Sequence, residues 1–420
     1  MENQNLINHV AGEGARRSRK DTGVFVGVIM MLVLAAGGVG LGVYLAVRNA
    51  GVNDESSSEV SDETKEITEV VNTDLTSGTV TTTIGGKSVT YSGAYVVDGV
   101  SATIDSGTYA STTDDQAVFL VINGGSLTIT GDVAIKKSGS ADFQGRGDNY
   151  SFYGTNSAVV VVGEGSTVSL DGVAITTNVS GANAVVATNG GKTTVKNATI
   201  ETSKDNSRGL HATYTGEIEA ENVSIATQGG SSASLATDRG EGTVTASNMT
   251  LSTAGAGSPL IYSTGVITVS SSTGTATGAQ IAVVEGKNSV TLSDCEFSAN
   301  GVGNRNNVDN AAVMIYQSMS GDAGVGTGTF TATNSKLSVL SSSNVYNTTP
   351  FFFVTNTNAT ISLSNVEANF STEQKFISAL GTDEWGKSGS NGGKVTITAE
   401  NLTATNTETN TDSISSVSGL

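Results

Sequence analysis

Cysteine occurs once, at position 295, and histidine twice, at 9 and 211, in a chain of 420 residues. One thiol forms neither a disulfide framework nor a cysteine cage for zinc, and two distant histidines exclude metal or acid–base chemistry that relies on several imidazoles. Cys295, in "DCEFSA", stands where sister segments carry Val, Ala or Met, so it reads as a small core residue. Proline is as scarce, at 2 residues, and aromatics make up 5%. With 52 glycines and much Thr, Ser, Val, Ala and Asn, the chain suits short strands and tight turns; beyond the N-terminus long helices are not expected.

Positive charge is also short, with 21 Lys and Arg against 39 Asp and Glu. Residues 49–420 carry 16 against 36, a net of −20. Such a surface repels phosphate backbones, which excludes nucleic acid as a partner and leaves cations, basic partners or neutral glycans.

The exception to this dilution is Gly23 to Val47, 25 residues without a charge. As a helix it would span about 37 Å against a hydrocarbon core of roughly 30 Å. Arg16, Arg17, Arg19 and Lys20 precede it and only Arg48 follows closely. The positive-inside rule then makes 1–22 a cytoplasmic basic tail, 23–47 an uncleaved single-pass anchor and the C-terminal body extracellular. The run is too long for a cleaved signal peptide and no clean small-x-small site follows it. Residues 48–77, dense in acids and Ser, read as a flexible tether.

From residue 78 one plan recurs every 22 to 26 residues or so. It is clear in "GSTVSLDGVAITTNVSGANAVVAT" from Gly165, "GKTTVKNATIETSKDNSRGLHAT" from Gly191 and "GEIEAENVSIATQGGSSASLAT" from Gly216. A short alternating strand leads to Asn or Gly, a second alternating strand follows, then a variable turn, then an aliphatic third strand. Val168 and Leu170, Ile218 and Ala220, Val244 and Ala246 mark the first strand; Val173 and Ile175, Val223 and Ile225, Met249 and Leu251 mark the second. Period two means one face in and one face out. Such short strands bury their apolar faces only by stacking coil on coil. At ~4.8 Å per coil, about ten coils make a rod roughly 50 Å long.

Between first and second strands stand Asn197, Asn222, Asn248, Asn334, Asn365 and Asn401, with Asp132, Asp294 and Gly172 as substitutes. These residue types tolerate a left-handed backbone, and stacked Asn side chains hydrogen-bond from coil to coil. The N-x-S/T triplets at several of these positions follow from corner Asn plus outward Ser or Thr, so they do not by themselves indicate glycosylation. Pro259 and Pro350 precede third strands, where a missing N–H costs least.

The Asn corners, coil length and three-strand grammar over residues 78–405 resemble the right-handed, pectin-lyase-like parallel β-helices of bacterial surface adhesins and of carbohydrate-binding and polysaccharide-degrading proteins. The resemblance implies an all-β solenoid of about ten three-strand coils behind one transmembrane helix, with a polar tail at 406–420. That superfamily holds both enzymes and binders, so function must come from the site.

Three turns exceed the basic length: Lys136 to Ser157, Asn300 to Ala311 and Phe376 to Gly392. A rigid rod with long turns on one side displays a binding surface. The ligand-binding candidates are Asp142, Phe143, Arg146, Asp148, Tyr150, Phe152 and Tyr153 of the first turn and Trp385 of the last, since aromatic faces beside acids suit sugar rings. Aromatics packed under a long loop would look the same. Arg146-Gly147-Asp148 spells an integrin-type triplet, which a Gly- and Asp-rich turn also produces by chance. Calcium on turn oxygens is the one cofactor left open, with Asp148, Asn149, Asn306 and Asp309 as candidate ligands, though no spacing matches an EF-hand or nonapeptide repeat.

For catalysis, the adjacent Asp114 and Asp115 would point to opposite faces of a strand. Lys204, Asp205 and Arg208 in "SKDNSRG" form the nearest match to a lyase site, in a turn where charges are normally solvated. The expectation is therefore a non-enzymatic, membrane-anchored surface protein that attaches to a glycan or a cell-surface partner. A polysaccharide lyase or hydrolase is the alternative, and a structural stalk the second alternative. A close carboxylate cluster in one groove of the rod would favour the enzyme.

Overall fold

The computed structural model describes residues 69–71, 75–299, 311–318, 322–339, 350–370, 376–381 and 393–406. The expected basic tail, the apolar run 23–47 and most of the tether lie outside these, as do Asn306, Asp309 and Trp385. The chain divides into units Met1–Thr68 and Glu69–Leu420, and the described residues belong to the second. Among them no helix is long and apolar enough to cross a membrane.

The strands wind a parallel β-helix. Val159–Val162, Thr167–Asp171 and Ala174–Thr177 make one coil, and Val185–Thr188, Lys192–Lys196 and Thr199–Thr202 make the next. Each strand lies parallel to its counterpart one coil on. Thus Val159 faces Val185, which faces Leu210; Ile175 faces Ile200, which faces Ile225. First and second strands form one 21-stranded sheet and third strands a 12-stranded one. The inward stack of first strands runs Thr193, Ile218, Val244, Ile267, Val290, Phe330, Ile361, Ile397 in strict register. The alternating residues named from the sequence are the ones that face inward: Val168, Leu170, Val173, Ile175, Cys295 and Phe297 are at most 3% exposed.

The corners have the backbone that their residue types suggest. Asn197, Asn222, Asn248, Asn334, Asn365 and Asn401 hold φ between 50° and 58°. Their amides form ladders that end on an acid. Asn222 donates to Asn197 (2.7 Å) and Asn197 to Asp171 (2.7 Å); Asn401 donates to Asn365 (3.0 Å), Asn365 to Asn334 (3.1 Å) and Asn334 to Asp294 (3.2 Å). Two positions differ from expectation. Gly131, not Asp132, has the left-handed φ (87°) in its coil, because glycine adopts it without a Cβ clash; Ser271 (50°) fills a corner where no Asn or Gly signals it.

Most third strands are buried on both faces. In Val159–Val162 and Val185–Thr188 every residue is buried, so their outward side chains need a cover of their own. One comes from the hairpin of Gly78–Ile84 and Lys87–Asp98, joined through Gly85 and Gly86 at positive φ, as a two-residue turn requires. Its Ile84, Val89 and Tyr91 pack on Leu120, Ile122, Val160, Val162 and Val186, the outward residues of successive third strands. Within the segment expected as tether, Glu69–Val71 pairs in parallel with Ser101–Thr103.

Candidate functional site

The second cover is the long turn after Lys137. It folds as a short helix, Phe143–Asp148, capped by the Asp142 carboxylate on the Gly145 N–H, and a π-turn, Asn149–Tyr153. Tyr150, Phe152 and Tyr153, expected as exposed sugar-binding aromatics, are 0%, 1% and 3% exposed. Phe152 and Tyr153 join the outer cluster over the third strands, Tyr91 donates to the Tyr153 carbonyl (2.8 Å) and Thr213 to that of Phe152 (2.8 Å). The physical reason is the apolar outer face below, which would otherwise meet water. The turn is a lid on the core, and of its aromatics only Phe143, 6.1 Å from the Tyr150 ring, stays half-exposed.

The triplet is likewise tied down by its own contacts, although the Arg146 side chain stays 54% open. Arg146 forms an ion pair with Asp115 at 2.9 Å, Gly147 is buried, and Asp148 faces Arg239 and Lys87, with burial pushing its carboxyl up. Asp115 also accepts from the Tyr150 hydroxyl, which holds the turn down on the corner it leaves. Of the calcium candidates, Asp148 lies in the field of two cationic side chains, and Asn149 is exposed. Among the described residues no group of three or more His, Cys, Asp or Glu is arranged to hold a metal.

Farther along the same outer face, apolar side chains give way to charged ones. His211 lies beside Val186 in register, and Glu285 beside Tyr316. Asp238 follows directly on Leu235–Thr237. Arg208, read as a solvated turn residue, is instead 6% exposed: its Nη2 lies 3.4 Å from Asp238 Oδ2, and His211 Nε2 lies 3.9 Å from the same oxygen. Its predicted companions go elsewhere. Lys204 is exposed, and the Asp205 carboxylate accepts the Gly230 N–H at 2.7 Å.

Around this core sit two more carboxylates. Asp322, 8% exposed, takes the Arg239 guanidinium through Nε at 2.8 Å and Nη2 at 2.5 Å. Glu285, 1% exposed, accepts from Tyr262 (2.6 Å), Tyr316 (3.0 Å) and Ser318. Arg239 ties the long turn to this charged cluster, for its guanidinium carbon lies 3.7 Å from the centre of the Phe152 ring.

Burial sets the protonation of the group. It pushes the Asp238 carboxyl up to about 7; Arg208 pulls it down, while Asp322 and Glu285 push it further up. Glu285 is raised by burial, against three hydroxyl donors that favour its ionised form. His211 is held well below its ordinary value, by burial and then by the Arg208 charge, so it is neutral. Both its ring nitrogens and Arg208 Nη1 are buried without a hydrogen-bond partner. A carboxyl that exchanges its proton near pH 7, beside two other acids, is equipped for proton transfer.

No protein-family model and no curated protein matches the chain. Among solved structures it is similar to the catalytic domain of a GH87 alpha-1,3-glucanase in complex with nigerose, at 10% identity and a TM-score of 0.34, over 74% of this chain and 64% of that one. A substituted form of that domain with tetrasaccharides gives 12% identity and a TM-score of 0.34, over 73% and 61%. This chain spans less than two thirds of the length of either.

Proposed function

We propose that the chain is a polysaccharide-active enzyme of the hydrolase type, with Asp238 as the proton donor to the leaving glycosidic oxygen. The observation that supports this over attachment is the set of three neighbouring carboxylates, Asp238, Asp322 and Glu285, on one face of the rod, where Asp238 keeps its proton up to about pH 7. Glycoside cleavage needs one acid that is protonated at working pH and one that is ionised, and different surroundings separate the two. Asp322, ion-paired to Arg239, takes the second carboxylate's role; Glu285, wrapped by Tyr262, Tyr316 and Ser318, positions the pair. Arg239, with 30% of its side chain open, marks the side from which substrate arrives.

Attachment to a glycan without cleavage is the second reading, and one feature favours it. An open groove of about 710 Å³ follows the Asn corner, lined by Thr273, Asn334, Ser335, Lys336 and Asn365 among others. In either case the run 23–47 serves as the anchor that displays the body outside the cell. Full-length protein incubated with a polysaccharide panel tests the matter: new reducing ends, reduced at least a hundredfold by Asp238→Asn, support hydrolysis. Binding without any product in either protein leaves the attachment reading.

A further inference from the structure

The groove of about 710 Å³ along the Asn corner is lined by two columns of side chains. Ser271, Asp294, Asn334 and Asn365 form the corner column. Thr273, Glu296, Lys336 and Glu367, which open successive second strands, form the other and follow one another in register, one per coil. Four coils give a track about 14 Å long at ~4.8 Å per coil. The ladder uses only part of each amide: Asn334 donates one N–H to Asp294 and Asn365 one to Asn334, so each keeps a second. Lys336 Nζ lies 3.8 Å from Glu296 and 3.9 Å from Glu367, too far to hydrogen-bond to either. Lys192 and Lys196 of the same sheet, by contrast, close on their glutamates at 2.8 and 3.1 Å. The groove thus offers amide and ammonium donors beside three exposed carboxylates with lone pairs to spare.

Neighbouring hydroxyls of a sugar ring both donate and accept, which suits such a mixed wall. A polyuronate would meet the three carboxylates, and a chain of amines the central ammonium. An extended β-1,4-linked chain advances by about one coil spacing per ring, so successive rings meet the same two columns. We propose that this groove is an accessory track for an uncharged, extended β-linked polysaccharide lying along the rod axis, one ring per coil. It belongs to the sheet of first and second strands, whereas Asp238 follows a third strand. The proposal rests on the attachment reading of the groove and holds with or without cleavage at Asp238.

The test is calorimetry of full-length protein, wild type and Asp238→Asn, with cello-, xylo- and mannooligosaccharides of two to six rings, tetragalacturonate and chitosan tetramer. A neutral series is expected to gain at least tenfold in affinity from dimer to tetramer and less than about twofold from tetramer to hexamer, as the four coils fill. Lys336→Met and Asn365→Gly should each weaken tetramer binding at least fivefold. Lys336→Arg, which keeps the donors, and Lys196→Met, outside the groove, should stay within about twofold of wild type. Tighter binding of tetragalacturonate or chitosan tetramer, no plateau near four rings, or equal binding by wild type and Lys336→Met overturns the proposal. The readings fail separately. Glycan binding that neither Lys336→Met nor Asn365→Gly weakens keeps attachment and removes the track; track-dependent binding together with product that Asp238→Asn abolishes removes attachment as the whole function and keeps the track.

Discussion

The guanidinium carbon of Arg239 lies over the Phe152 ring, 3.7 Å from its centre, while its nitrogens hold Asp322. A turn that departs from the repeat and a carboxylate 170 positions later in the chain are thereby joined through one side chain. Phe152→Ala should therefore act twice. It removes a buried ring, at about 3–5 kcal/mol in chemical denaturation, and it frees Arg239, lowering turnover more than the milder Phe152→Leu does. If both variants lose stability but keep full activity on the same substrate, Arg239 does not depend on the ring.

The Arg146-Gly147-Asp148 triplet should not support cell attachment. Integrin-type recognition needs an extended, free triplet, and here the residues lie in a short helix with Arg146 tied to Asp115. Arg146→Ala should cost no more than about 1 kcal/mol, as an ion pair open to water does. Any adhesion of cells to the immobilised protein should be indifferent to competing RGD peptide; inhibition by the peptide would contradict the helical, tethered arrangement.

What was legible in the sequence, and what was not, follows from the range of the forces involved. The inward set, Val168 and Leu170 or Val173 and Ile175, is local alternation, and the Asn corners are local backbone preference; both appear in the structure with the expected faces. The burial of Tyr150, Phe152 and Tyr153 depends on residues that lie up to about sixty positions away, such as Tyr91 and Thr213. A signal for it was present. "VFLVI" at 118–122 and "VVVV" at 159–162 do not alternate, and an unbroken apolar strand implies cover on both faces. The site was missed for a related reason. His211 and Glu285 lie on the outward side of third strands and Asp238 directly follows one, in separate coils, so reading down the stack, rather than along one repeat, brings polar residues together.

The rate–pH profile of any hydrolysis should fall on the alkaline side near pH 7, because Asp238 must carry a proton to donate it. The same group links pH to stability. Its folded pKa is raised, so its contribution is fully present below the unfolded carboxyl value and is lost as pH rises through about 7. Asp238→Asn should gain melting temperature relative to wild type as pH rises from 4 to 7, and the gain should level off above that. A flat difference across this range would mean that Asp238 is ionised throughout.

Lys137 gives the opposite slope. Its side chain is 1% exposed, its ammonium donates to the Thr113 carbonyl at 2.7 Å, and burial lowers it to about 8. A lysine whose folded pKa lies below its unfolded one imposes a penalty that is complete below pH 8 and disappears as pH rises toward 10.5. Wild type should gain ~2–3 kcal/mol relative to Lys137→Met across that window. Titration of buried tyrosines is common to both proteins and cancels in the difference.

Asn365 separates the two reasons for an asparagine corner. Its φ of 54° is one that a Cβ disfavours, and its amide both donates to Asn334 and accepts from Asn401. Asn365→Gly removes the ladder but relaxes the backbone; Asn365→Ala removes the ladder and retains the strain. If strain dominates, Gly should be nearly neutral and Ala should cost ~1–2 kcal/mol. If the ladder dominates, the two should cost alike, because each leaves Asn401 without its acceptor and Asn334 without its donor. The corner is exposed and water can replace a lost amide, so the larger cost is expected for Ala. Denaturant midpoints of the two variants, read against each other rather than against wild type, decide it.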